Sequence, residues 1–270
     1  MKAKRLSLFT LIAMLIVGVV FAMSQKSDDQ TILLSQLQSD DWKQRASAVE
    51  KLIASRSIFR SAEVKNALID LVDRENHVVE ATLRESNGME GVSVKYGEGY
   101  SEYYSTLLGA VDQIADYNDK RTLNILVHST YNPDSPFAMK LASYGEAVVP
   151  MLLELATSDI APDRGNAVGV LGEILKVEKY RLTRLPAETL EQVEQALIMG
   201  TSDEDIGVRI LAVRSLGKGG NKDTVQLLER VAQSDPAAIP ADAGKNRYPV
   251  REEAMKAIRL IKSEEKRKTL

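Results

Sequence analysis

The chain contains no cysteine. That excludes any disulfide framework, a lipid anchor through a cysteine, and a thiol nucleophile. Histidine is nearly as scarce. His77 and His128 fall in different predicted helices, so with no thiolate available they do not assemble a zinc site. His128 follows apolar Leu126-Val127 and reads as a helix-end residue. Aromatic residues make up only 5% of the chain, with a single Trp. Motifs that carry chemistry are missing too. There is no Gly-x-Ser-x-Gly, no P-loop and no dinucleotide fingerprint, and Gly88 and Gly91 lack the strand and third glycine such a loop needs. The acidic run Ser202-Asp203-Glu204-Asp205 lacks the remaining ligands of a calcium loop, and its acids suit a helix N-terminus. The expectation is a protein that is not an enzyme, with no cofactor, no metal and no catalytic residue.

What is present is aliphatic and charged. Hydrophobic residues make up 44% and charged residues 27% of 270 residues, a generous aliphatic content that argues against disorder, and that length suits either two domains or one elongated array. The first 22 residues read as a targeting segment: a basic head at Lys2, Lys4 and Arg5, an uncharged apolar run from Leu6 to Ala22, and then the polar stretch Ser24–Asp29. Cleavage after Ala22 gives a periplasmic or secreted protein. The rival reading is an uncleaved helix anchored in an inner membrane with the body facing outward, although the run is short against the roughly 20 apolar residues a span needs. Export without disulfides suits a bacterial envelope. Taking Lys2, Lys4 and Arg5 from 35 basic residues leaves 32 against 38 acidic ones, a balance that does not favour nucleic acid.

The chain also repeats itself. Val208-Arg209, Ala212 and Leu216 share a frame with Val250-Arg251, Ala254 and Ile258; the frame recurs at Arg164, Ala167 and Leu171, and at Arg45, Ala48 and Leu52. The last three copies are 45 and 42 residues apart, enough for a helix pair and two turns. A second motif follows. Gly217–Leu228 stops one helix and starts another, and Ala115–Leu126 aligns with it without a gap. Gly past a helix end and Asp or Asn at the next start are the expected stop and start chemistry. Ala at the repeated position lets helices approach, and Leu and Ile fill the seam. The coarse pattern predicts helices at 30–38, 41–55, 61–73, 76–86, 100–116, 120–130, 134–143, 146–157, 163–176, 186–200, 204–217, 222–233 and 248–264, and no sheet.

The order of acidic turn, Val-Arg, Ala, Leu-Gly, short turn and Leu-Leu helix resembles HEAT repeats of the short bacterial kind also found in phycobilisome lyases. It is strongest over 138–261 and clear over 40–72. The resemblance implies an all-α fold, a right-handed α-solenoid of about five to six helix pairs. It also implies that each repeat Arg bonds acids in the turn before its helix: Asp40 or Asp41 for Arg45, Asp159 or Asp163 for Arg164, and Asp203 or Asp205 for Arg209. Arg251 lacks such an acid except Asp242, and Leu107 takes the Arg position in the 100–116 helix, so both depart from the pattern. The implied organisation is a signal segment at 1–22, a polar lead-in and first short helix at 23–39, the array at 40–264 with an insertion at 86–99, and a charged tail at 265–270.

Two places break the regularity. Residues 86–99 hold four glycines, and four of the nine tyrosines fall at Tyr96, Tyr100, Tyr103 and Tyr104. Tyrosine suits a recognition surface. However, Tyr100, Tyr103, Tyr104 and Leu107 also sit at i, i+3, i+4, i+7, the spacing of a buried stripe. Lys95 and Tyr96 lie outside that stripe and are the better contact residues. The second place is 234–247, a long connection with Pro236 and Pro240 that reads as a linker before a capping helix. The functional expectation is a non-catalytic exported scaffold for a protein partner. The alternatives are a membrane-tethered interaction module and a lyase-like enzyme.

Overall fold

The computed structural model describes residues 28–55, 59–85, 89–114, 119–129, 136–180, 184–240 and 245–268. The targeting segment at 1–22 and Asp242 lie outside them. The fold is all-α, and the described chain divides into two compact units: residues up to Glu75 with 96–115, and 76–95 with 116 onward. Among the described residues no helix is long and apolar enough to cross a membrane.

The first unit is built from α1 (28–37), α2 (Trp42–Ala54), the first part of α3 (Ala62–Glu85), the end of α4 (Met89–Tyr96) and α5 (Tyr100–Ile114). Its core is the apolar stripe of each helix: Leu37, Leu52, Leu68, Val72, Leu107 and Val111 are all fully buried. Asp41 caps α2 by accepting from the Lys43 amide, and Arg74 donates to the Leu37 carbonyl at 2.8 Å, which satisfies an orphan acceptor at the end of α1. Two helices were expected over 61–86, but α3 is continuous. No Gly or Pro interrupts it, and Asn76, expected to begin the second helix, lies mid-helix with its side chain turned to the Ile125 carbonyl and the Ser129 hydroxyl. The glycine-rich insertion is partly helical as well, since α4 lies inside it. The break comes afterwards. Gly97 and Gly99 both have φ near +90°, which only glycine adopts cheaply, and they let α5 start at Tyr100.

The second unit continues with α6 (Lys120–His128), α7 (Pro136–Ala142), a 3₁₀ turn at Gly145–Ala147, α8 (Val149–Leu155), α9 (Ala161–Lys179), α10 (Ala187–Gly200), α11 (Ile206–Gly219), α12 (Lys222–Ser234) and α13 (Pro249–Lys268). Helices α7, α9, α11 and α13 pack each on the next, while α6, α8 and α10 form a second row and α12 lies against α13. Helix α9 is buried without a break from Asp163 to Leu175, so it shows no amphipathic period. Small residues set the helix spacing. A Cβ on Gly172 would sit 2.2 Å from Ser215 Oγ, and one on Gly217 would sit 2.7 Å from the Ala257 Cβ. Gly172 and Gly217 are 45 apart, and Ser215 and Ala257 are 42 apart, so the α9–α11 and α11–α13 contacts use equivalent positions.

Two details differ from expectation. The long connection forms a two-residue antiparallel pairing, with Ile239 opposite Arg247 and Pro240 opposite Asn246. The tail assigned to 265–270 is helical through Lys268, because α13 extends past Glu264, whose carboxylate pairs with Lys179.

Candidate functional site

The tyrosine-rich segment is a buried network in the first unit and not an open surface. Tyr100, Tyr103 and Tyr104 are all buried, which corrects their placement as contact residues: the stripe spacing turns them inward. At the centre is Glu75, whose side chain is 0% exposed. It accepts from Tyr100 at 2.6 Å and from Tyr103 at 3.0 Å, and pairs with Arg45 Nε at 2.7 Å. Trp42 stacks on Tyr103, meets Tyr100 edge-on and donates to the Tyr96 carbonyl, while Tyr96 stacks on Tyr100. Burial first, and then the hydrogen bond and charge of Glu75, push the Tyr100 phenol far above its ordinary value. Tyr103 is raised by the same burial and charge, against opposition from Arg45. A buried carboxylate with every partner satisfied is a positioning device for the core. Among the described residues of this network, Tyr96 and Trp42 are half-buried and border the surface. In the second unit, Lys95 is exposed and bonds Glu85 at 2.8 Å.

The repeat arginines form a second pattern, and it corrects the expected acid partners. Each Nη1 donates to a carbonyl six residues earlier: Arg45 to Ser39, Arg164 to Ser158, and Arg209 to Asp203. The acid comes from elsewhere. In the second unit it comes from the next turn along the chain, with Arg164 gripping Asp203 through two 2.8 Å bonds and Arg209 meeting Asp235 at 2.9 Å. Asp159 instead bonds Arg84, and Asp163 accepts from Ser158. Arg251 does have its turn: Nε donates to the Asp235 carbonyl at 2.6 Å. Asp235 and Arg251 stand 16 apart where the other pairs stand 6 apart, so ten inserted residues hid the match. The result is a continuous ladder, Arg164–Asp203–Arg209–Asp235–Arg251. Burial alone would raise the Asp203 carboxyl. The Arg164 hydrogen bonds, the Asp205 amide and the two guanidinium charges outweigh it and hold Asp203 below its ordinary value.

Of the repeat alanines, Ala48, Ala167, Ala212 and Ala254 are all fully buried. Ala212 lies 3.0 Å from where a Cβ on Gly200 would stand, so it fixes the approach of α10 to α11.

A third feature had no signal in the sequence reading. Helices α8, α9, α10 and α11 leave a groove of about 630 Å³, within the usual range for ligand sites. Its apolar surface comes from Leu153, Val168, Ala196, Met199 and Val208. Met199 is 63% exposed. Three lining residues are acidic (Glu188, Glu191 and Asp203) and none is basic. Helix α10 itself, with the sequence AETLEQVEQALIMG, carries three glutamates and no Lys or Arg. Among the described residues, no group of three or more His, Asp or Glu side chains is placed to hold a metal ion.

No protein-family model matches the chain, and no curated protein matches it. It is similar to crystal structures of engineered proteins from the Northeast Structural Genomics Consortium. One is 19% identical and covers 87% of this chain and 97% of its own, with a TM-score of 0.38. A second, also 19% identical, covers 87% and 99% with a TM-score of 0.37. A third, 17% identical, covers 91% of this chain and 60% of its own, again at 0.37. Likenesses at these TM-scores carry no argument about function.

Proposed function

We propose that the chain is a non-catalytic scaffold, a right-handed α-solenoid of about five to six HEAT-like helix pairs, which is exported and holds a protein partner on its helix surface. One observation carries this reading: contacts recur at the repeat spacing. Gly172 meets Ser215 as Gly217 meets Ala257, and Arg164 reaches Asp203 as Arg209 reaches Asp235. Repeating units that cover each other's apolar faces leave long surfaces for a partner, and stability then adds from neighbour to neighbour. Export rests on the basic head and apolar run at Lys2 to Ala22.

The test is a photo-crosslinking residue placed singly at Gln195, Met255, Leu260 and Val94 in the full chain, expressed in cells of its source. The scaffold reading expects one dominant crosslinked protein from at least one position. Crosslinks to none, or only to abundant proteins from every position alike, would refute it. The membrane-tethered alternative rests on the same Leu6–Ala22 run, and mass spectrometry of the mature chain separates the two. A start near Met23 means a cleaved signal.

A further inference from the structure

We propose that the groove between α8, α9, α10 and α11 holds an amphipathic segment of the partner protein that carries Lys or Arg beside its apolar anchors. This rests on the scaffold reading and adds the chemistry of what is held. The argument starts from the periodicity of α10. Glu188, Gln192, Gln195 and Met199 follow one another at i, i+4, i+7 and i+11, so they share a face, and that face lines the groove. All four are exposed. The apolar side is Leu153, Val168, Met199 and Val208, with Met199 supplying an adaptable thioether surface that is otherwise left in water.

Charge selects the occupant. Asp203 is spoken for by the bidentate Arg164 contact, so it contributes little net field. Among the described residues Glu188 and Glu191 have no ion-pair partner, and no cation lines the groove. Glu194, on another face of the helix, has its carboxyl raised first by burial and then by the charges of Glu191 and Asp223. An acidic or purely apolar segment would leave these carboxylates desolvated and uncompensated. A segment with basic residues flanking its apolar anchors satisfies both surfaces, in the helix-in-groove manner.

The probe is a fluorescein-labelled peptide of three Lys-Leu-Leu-Lys blocks, compared with its Glu-Leu-Leu-Glu counterpart, by fluorescence anisotropy on the full chain. The Lys peptide should bind at least about tenfold tighter than the Glu peptide. Reversing the rim with Glu188→Lys and Glu191→Lys together should weaken the Lys peptide about tenfold and strengthen the Glu peptide. Reversing two exposed acids of the other unit, Glu50→Lys with Glu98→Lys, should leave both unchanged and so controls for the overall field. Met199→Ala should weaken both peptides. Equal losses from the two reversed pairs, or no preference for the Lys peptide, would overturn the proposal. A small molecule or a second copy of this chain found in the groove would overturn it as well. If the groove proposal fails while crosslinks from Met255, Leu260 or Val94 persist, the scaffold stands and only the groove is removed; loss of both removes the scaffold too.

Discussion

Gly172→Ala should destabilise the protein, although the same change in an open helix stabilises one. Two terms compete. Replacing glycine by alanine inside a helix gains about 1 kcal/mol of propensity. Against this, the new methyl would lie 2.2 Å from Ser215 Oγ, 2.3 Å from its Cβ and 2.9 Å from its Cα. Carbon contacts settle near ~3.5–4 Å, so α9 and α11 must separate by about 1 Å. Overpacking of this kind costs ~1–3 kcal/mol. Separation also strains the buried bond from Ser215 Oγ to the Val168 carbonyl, 3.1 Å long, whose loss leaves an unsatisfied group at ~1–3 kcal/mol. The net expectation is a loss of about 2 kcal/mol.

Gly109 supplies the opposite case within the same chain. It lies in α5, and nothing stands within 4 Å of where its Cβ would be, so Gly109→Ala should stabilise by about 1 kcal/mol. Gly217→Ala should fall between them, because its nearest neighbour is the Ala257 Cβ at 2.7 Å. Urea unfolding followed by far-ultraviolet circular dichroism reads all three. With a slope of about 2 kcal/mol per molar, Gly172→Ala lowers the midpoint by about 1 M. Trp42, the single tryptophan, lies in the first unit and gives a separate fluorescence readout of it. Adding Ser215→Gly should restore part of the loss, with a coupling of about 1 kcal/mol or more. A Gly172→Ala protein as stable as the parent, or a cycle with no coupling, would refute the close approach of α9 and α11.

Two further outcomes follow from the buried polar groups. Asp203→Ala leaves the Arg164 guanidinium with only the Ser158 carbonyl and the exposed Glu204 carboxylate, and should cost about 2 kcal/mol at neutral pH. Because the folded-state value of Asp203 is depressed, that contribution is present in full above the unfolded value and is lost as pH falls through the folded one. The gap between parent and variant should therefore close below about pH 4, and a gap that persisted in acid would contradict the pairing. Tyr100 and Tyr103 are both raised, so alkaline absorbance titration should show them silent in the folded chain and released together only when the first unit unfolds. Full titration of all nine tyrosines in the folded chain would remove the network around Glu75.

Local chemistry was legible in the sequence. Asp41, Asp119, Asp205 and Asn221 all cap helices, and their residue type and position announce it. The helix starts and stops that they punctuate fall close to the expected bounds. Features that depend on a neighbour were not legible. Helix α9 is covered on every side, so its burial leaves no period to read. Gly172 and Gly217 look like helix weaknesses in the sequence and are contact points in the fold. The groove rests on Met199 and on the absence of a cation along α10, and neither makes a motif.

The arginine ladder shows why a pattern can be seen while its wiring is misread. Nη1 reaches a carbonyl six residues back, and that step is local, so the association of each Arg with its own turn was recoverable. The acid partner lies 39 residues away for Arg164 and 26 for Arg209. Asp203 hides this because it has a complete local explanation: one carboxylate oxygen accepts from the Asp205 amide, as any residue shaping a turn would, and its carbonyl accepts from Arg209. The long-range contact uses the same carboxylate. A residue already explained by its own turn gives the sequence no reason to look further, and here that residue joins α9 to the turn before α11.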